Sequence, residues 1–325
     1  VTQQFDFFTD DDEAEAAALG PRRRRSVKRV VTADSEGGLV RQLEATGRYR
    51  VLTKLEPRPI VPFPRPGFLR RGVLVDAETT GLNHREDEII EIGIVAFSFD
   101  EQGAIGDVTG VYSALHQPTR PIPEEITRLT GITDEMVAGH MIDPQQLRSL
   151  VEPADLVIAH YARFDRPFFE AFSPLFDRKA WACSVSEIDW AARGFEGNKL
   201  GYLIGQAGYF HEAHRAVDDC FALLEILDRG HGDSASSPFS ELYLSSQQNR
   251  ARIFAEHSPF EMKDQLKMRG YRWSDGSDGG PKSWWIEIEE HRVQDEINYL
   301  RAEIYGWEEA DPPVRYMTAF ERFKS

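Results

Sequence analysis

A chain of 325 residues with 41% hydrophobic and 28% charged side chains has room for one large domain and a smaller one, and its composition excludes a disordered or collagen-like chain. No apolar run approaches the ~18 residues of a membrane-spanning helix, the first residues are acidic where a secretory signal would be basic and then apolar, and Cys183 and Cys220 cannot build a disulfide framework, so a reducing cytoplasmic setting is expected. The net charge of -16 argues against a generally basic nucleic-acid surface, yet the acidity is local: residues 71–230 carry 13 Lys and Arg against 27 Asp and Glu, and residues 1–70 carry 13 against 10.

Residues 1–70 read as an appendage. An acidic segment, TDDDEAEAAA, is followed by the basic run Arg22 to Arg29, a helix over 38–46 and a short strand over 49–52. The Pro-rich stretch 56–67 then favours extended polyproline geometry and marks a domain boundary. From Gly72 the pattern becomes α/β. GVLVDAETTG is a buried strand ending in a turn, and EIIEIGIVAFSF and DVTGVYSALHQP are two more. PEEITRLTG and TDEMVAG carry helix-start signals, with Thr133 as an N-cap. DLVIAH is a fourth strand, ARFDRPFFEAF a helix interrupted by Pro167, and WACSV a short fifth strand. Helices over SVSEIDWAAR, NKLGYLIGQAG and AHRAVDDCFALLEILDRG follow. Three strands in succession, then strands alternating with helices, describe a mixed sheet flanked by helices. Residues 231–240 read as a Gly/Ser-rich linker, and 245–325 as a small α+β accessory domain, β-α-β-β and then a helix.

Three acidic features stand out. Asp76 and Glu78 end the first long strand on one face, as a pair of oxygen ligands for Mg2+ would; alone, such a pair is more often an exposed turn. Asp165 follows the fourth strand, at the carboxyl end where ligands bind on parallel sheets; alone, it reads as a helix N-cap. His214 and Asp219 are five residues apart, about 140° around a helix, and can converge only if His214 lies on the turn leading into it. Alone, they read as a capping residue and a surface acid.

Together and in this order, VDAETTGL, HYARFD and HRAVDD match three spaced motifs, and about residues 72–230 resemble the DEDDh 3′-to-5′ exonuclease family, DnaQ-like proteins that include the proofreading epsilon subunit of bacterial DNA polymerase III. The resemblance implies a ribonuclease-H-like fold with a five-stranded mixed sheet and two Mg2+ ions, for which Mn2+ can substitute. It implies that Asp76 bridges the ions, that Glu78 and Asp219 complete one site, that Asp165 supports the metals or their waters, and that His214 is the general base for the attacking water. Asp218 is then a solvent-facing bystander. Thr79, Thr80 and Leu82 fall where the resemblance implies contact with the terminal nucleotide, although turn chemistry accounts equally for the threonines. His160 reads as a structural or substrate-side residue. Tyr161 departs from the family, which commonly has Asn there, and puts substrate preference in question.

The function expected is metal-dependent release of nucleoside monophosphates from 3′ ends of single-stranded DNA, in proofreading or repair, with a DNA polymerase or repair complex as the suggested partner and no membrane. The alternatives are an exoribonuclease of the same fold and a non-catalytic nucleic-acid- or polymerase-binding protein. Lys199 and Arg215 could meet phosphates or remain solvated. Tyr271, Trp273, Trp284 and Trp285 could stack on bases or form the core of the small sheet. If the two units fold independently, a chain ending near Arg229 keeps its chemistry on short substrates.

Overall fold

Apolar strands pair where their runs allow, and of the two longest, each 11 residues, one is covered on both faces. The computed structural model describes residues 36–229, 236–277 and 279–324. The acidic segment and the basic run Arg22 to Arg29 lie outside them. The chain divides into two compact units, Val1–Val51 and Leu52–Ser325, and α1 (Glu36–Glu44) belongs to the first.

The larger unit opens with β1 (Thr53–Lys54), then β2 (Arg70–Thr79), β3 (Ile89–Phe99) and β4 (Ile105–Leu115). These last three form an antiparallel meander, and every residue of β3 is buried. The helices α2 (Glu124–Thr130), α3 (Asp134–Val137) and α4 (Pro144–Val151) lead to β5 (Leu156–Ala159), which runs parallel to β2. After α5 (Ala162–Phe172), β6 (Trp181–Cys183) adds parallel to β5. The result is the mixed five-stranded sheet β4-β3-β2-β5-β6, flanked by helices. Its period-two alternation splits the core: Leu74, Val95 and Phe97 face one apolar cluster, and Val73, Val75 and Ile94 the other. The chain continues through α6 (Ser184–Glu187), α7 (Leu200–Gln206), β7 (Tyr209–Phe210) and α8 (Ala216–Asp228).

Several local expectations shift for reasons of long-range pairing. The strand expected at 49–52 forms instead at β1, because its partner is β7, far along the chain. The Pro-rich stretch is strapped to the larger unit: Arg58 pairs with Glu225 and Asp228, both at 2.8 Å, and Ile60 bridges Val108. The compact boundary therefore lies at residue 51, not 70. Helix α5 passes through Pro167, whose missing N–H forfeits a single bond in the second turn. SVSEIDWAAR is helical only over α6, since the Glu187 carboxylate turns back to accept from the Cys183 N–H at 2.7 Å.

Residues expected to finish a linker begin α9 (Pro238–Gln247), with Ser237 as its N-cap and Pro238 in the first turn. Phe239 of α9 packs edge-on to Phe97 and Phe99, with ring centroids 5.2 and 5.1 Å apart. The C-terminal unit comprises β8 (Arg250–Ala255), α10 (Lys263–Met268), β9 (Arg272–Trp273), β10 (Trp284–Glu289), α11 (Val293–Tyr299) and β11 (Val314–Met317). Its sheet is antiparallel, in the order β11-β8-β10-β9. Strand β11 went unread because Arg315 and Tyr316 are both exposed, which removes the alternation that marks a strand.

The chain then returns to the first sheet. Arg166 of α5 is fully buried and donates to the carbonyls of Phe320 at 2.7 Å and Arg322 at 2.6 Å. The Trp181 N–H on β6 donates to the Ala319 carbonyl at 2.8 Å, Phe323 joins the cluster beneath β2, and Arg322 pairs with buried Glu187 at 2.5 Å. The condition for a self-sufficient chain ending at Arg229 is not met, because residues 239–323 complete the core of the larger sheet.

Candidate metal centre

Asp76 and Glu78 follow Leu74 on one face of β2, the face toward α8. Helix α8 reaches the sheet because Gly93, the register partner of Asp76 on β3, has no side chain: a Cβ there would lie 2.2 Å from the Ala216 backbone carbon. That approach lowers the first turn of α8 onto the strands and brings Asp219 beside them. Carboxylate oxygens of Asp76, Glu78 and Asp219 lie within 4.8 Å of one another. Asp165, 3% exposed, comes from the first turn of α5, just beyond β5, and stands outside that trio.

Burial, and then the charges of Asp165, Asp219 and Glu78, holds the Asp76 carboxyl well above the usual carboxylate range. Burial, with Asp219 and Glu91, pushes Glu78 up to about 7. Burial raises Asp165 as well. Hard oxygen donors that repel one another suit an oxygen-seeking divalent cation, which would relieve both penalties.

His214 stands on the turn before α8 in a left-handed conformation, φ 64°, with its side chain exposed. Its backbone N–H donates to Asp219 Oδ2 at 3.0 Å. Asp218 is half-exposed and outside the trio. Two neighbours escaped the sequence reading. His211 Nε2 meets Asp219 Oδ1 at 2.7 Å with its side chain 5% exposed. Glu91, 1% exposed and in register with Glu78, pairs with Arg215 at 2.8 Å and accepts from the Ala216 N–H at 3.3 Å. A glutamate inside the apolar run EIIEIGIV was the available signal for Glu91. For His211 the sequence offered none, because a loop brings it in. Arg215 is thus bonded to Glu91 and is not a solvated charge, whereas Lys199 is exposed.

The nucleotide-side candidates divide. The Thr79 hydroxyl donates to the Gly81 carbonyl at 2.6 Å, and the Thr80 hydroxyl accepts from the Glu88 N–H at 2.9 Å, so both threonines build the turn. Gly81 is required there, since a Cβ would meet the Asp87 carboxylate at 2.4 Å. Leu82 projects from the turn, 86% exposed. His160 accepts from the Ser184 hydroxyl at Nδ1, 2.7 Å, and donates from Nε2 to the Asn198 carbonyl, 2.8 Å. Burial lowers its pKa to about 4, and with both nitrogens engaged it braces β5 against α6. Tyr161, at the start of α5, is 54% exposed.

A pH dependence follows. Glu78 has its folded pKa raised above the unfolded value, so the native state binds the extra proton, and stability rises as pH falls through about 7 toward 4.5. Metal-free protein is expected to melt at a higher temperature at about pH 6.5 than at about pH 8.5, above the range where buried neutral His160 opposes the trend. Saturating divalent cation should flatten the difference. A metal-free melting temperature as high at about pH 8.5 as at about pH 6.5, or higher, would contradict the repulsive cluster.

A family model described as Exonuclease matches residues 73–227. The DNA polymerase III subunit epsilon of Treponema pallidum is 31% identical over 164 residues, covering 46% of this chain and 72% of that protein. The PolC-type DNA polymerase III of Thermotoga maritima is 30% identical over 171 residues, covering 48% of this chain but 12% of the polymerase. A solved structure of exonuclease X in complex with 5′ overhanging duplex DNA aligns over 54% of this chain and 99% of that one, at 22% identity and a TM-score of 0.38. Among the described residues, no helix is long and apolar enough to cross a membrane.

Proposed function

This chain belongs to the exonuclease family, and from that premise we propose that it hydrolyses single-stranded DNA from the 3′ end, releasing nucleoside monophosphates with two divalent cations, Mg2+ or Mn2+, in proofreading or repair. The observation that carries the reading is the convergence of Asp76, Glu78 and Asp219 within 4.8 Å, with the charge of buried Asp165 acting on Asp76. In this reading Asp76, Glu78 and Asp219 hold one cation, and Asp76 and Asp165 support the other. Bound there, the cations neutralise charge on the phosphoryl oxygens and acidify the attacking water. His214 takes the proton of that water, its position set by the backbone bond to Asp219. His211 fixes the rotamer of Asp219 from the opposite oxygen. Leu82 offers an apolar surface to the terminal base, and Thr79 and Thr80 hold the turn that presents it. A DNA polymerase or repair complex is the partner this reading suggests.

Digestion of matched end-labelled DNA and RNA strands tests it. Stepwise loss of mononucleotides from the 3′ end of DNA is expected with Mg2+ and none in excess chelator; full activity in chelator would sink the metal account, and faster turnover of RNA would move the substrate class. His214→Ala is expected to lower kcat by ~100- to 10,000-fold with a smaller change in KM, as for a lost general base. Turnover equal to the parent's across pH 6 to 9, roughly the span of histidine titration, would remove His214 from the mechanism.

A further inference from the structure

The C-terminal sheet has two faces of opposite character. Ala251, Ile253 and Ile288 turn to a core with Leu266 and Leu300. Period two sends the alternate residues of the same strands to the other face, and there arginine dominates. Register sets Arg252 of β8 between Arg315 of β11 and Glu287 of β10, places Arg272 of β9 beside Trp285, and puts Arg250 opposite Met317. The Trp285 ring lies under three guanidinium groups, with Arg252, Arg163 and Arg272 at 4.5, 5.3 and 5.7 Å from its centroid.

Arg163 belongs to α5, so this face looks toward the helix that carries Asp165. Two clefts, about 330 and 340 Å³, share Arg163, Trp285 and Phe323 as walls, and the first reaches Tyr161 at the start of α5. The carboxylates of the metal centre line neither. Tyr271, by contrast, is buried and donates to Glu296 at 2.9 Å, and Trp284 packs edge-on to exposed Trp273 on the core side, so of the four aromatic candidates only Trp285 faces the clefts.

Glu287 answers Arg252 at 2.5 Å and Arg163 at 3.6 Å, whereas Arg272 and Arg315, both exposed, form no ion pair with a carboxylate among the described residues. Gathering guanidinium groups over one ring in a chain of net charge -16 raises mutual repulsion that an anionic partner would relieve. Planar guanidinium forks match phosphate oxygens, and an aromatic floor accepts any base. Four strands spaced ~4.8 Å apart span roughly 14 Å, about four steps of a stacked strand at ~3.4 Å each.

We propose that the cleft between this arginine face and α5 holds the phosphodiester backbone of a single nucleic-acid strand, upstream of the end that reaches the carboxylates. The assignment rests on the exonuclease reading and extends it to the path of the substrate. It is tested by Arg272→Glu with Arg315→Glu, and by the milder pair Arg272→Gln with Arg315→Gln, each checked by thermal melting for an intact fold. Binding of a labelled ~20-nucleotide single strand is read by anisotropy against salt, in an Asp76→Asn background so that the strand survives. The expected result is at least ~10-fold weaker binding and a log–log salt slope shallower by ~1.4, the value for two single-strand phosphate contacts. Affinity and slope equal to the parent's in a folded variant would overturn the proposal. So would binding of polyglutamate at these arginines with no binding of the strand, which would assign the face to an acidic protein segment. Failure of the Asp76 parent to cleave a dinucleotide would count against the exonuclease reading alone, since strand affinity judges the cleft without turnover.

Discussion

Asp76→Ala is expected to lower turnover by at least ~1,000-fold, equivalent to about 4 kcal/mol of lost transition-state stabilisation, while raising the melting temperature of the metal-free protein. Both effects have one cause. Asp76 is half-buried beside Asp165, Asp219 and Glu78, whose charges add to desolvation in opposing its ionisation. Removing it relieves that repulsion, and the cavity left by one short polar side chain costs less than the loss of a large apolar one. The same substitution deletes the acid common to both proposed cation sites. The parent is therefore expected to gain stability on adding Mg2+, about 2.7 kcal/mol at 100 times the dissociation constant, and the variant to gain little. Calorimetric melting with and without metal, beside single-turnover hydrolysis, reads both effects. A variant that melts lower without metal yet gains as much from Mg2+ as the parent would place the cation elsewhere.

A chain ending at Arg229 is expected to be insoluble, or to melt without a cooperative transition, and to lose turnover even on a dinucleotide. Truncation leaves the buried Arg166 guanidinium with Glu170 at 2.6 Å but without the carbonyls of Phe320 and Arg322. It leaves Glu187 buried without Arg322. Stranding one partner of a buried ionic pair costs about 3–5 kcal/mol, and loss of a large buried aromatic such as Phe239 or Phe323 a further ~3–5 kcal/mol. Their sum is comparable to the 5–15 kcal/mol typical of a whole domain. Arg166 adjoins Asp165, so loosening of the tail reaches α5 and the metal centre directly. In the full-length chain Phe323→Ala should act in the same direction, lowering the melting temperature by roughly 6–12 °C for a loss near 3 kcal/mol. A truncated protein that is soluble, melts cooperatively and retains full dinucleotide turnover would show that the tail is dispensable.

The strand segments of the first sheet and the identity of its acids were legible in the sequence because both are local. The period-two pattern of residues 72–78 places Asp76 and Glu78 on one face whatever else the chain does, and the five-residue spacing of His214 and Asp219 already required the histidine to sit on the turn before α8, where it lies with φ 64°. The apolar runs marked β2 through β6 for the same reason. What the tertiary structure alone decided depends on groups that meet across long stretches of chain, which no periodicity encodes. Gly93 opens the space for α8 only because it faces Ala216, His211 reaches Asp219 from a loop, and Glu91 tolerates burial because Arg215 arrives opposite it. The carboxyl-terminal residues read as a separate unit since their own strands and helices close a small core, yet Arg166 and Glu187 have their partners there. A local pattern specifies which face of an element is apolar, whereas the identity of what covers that face is a property of the folded chain.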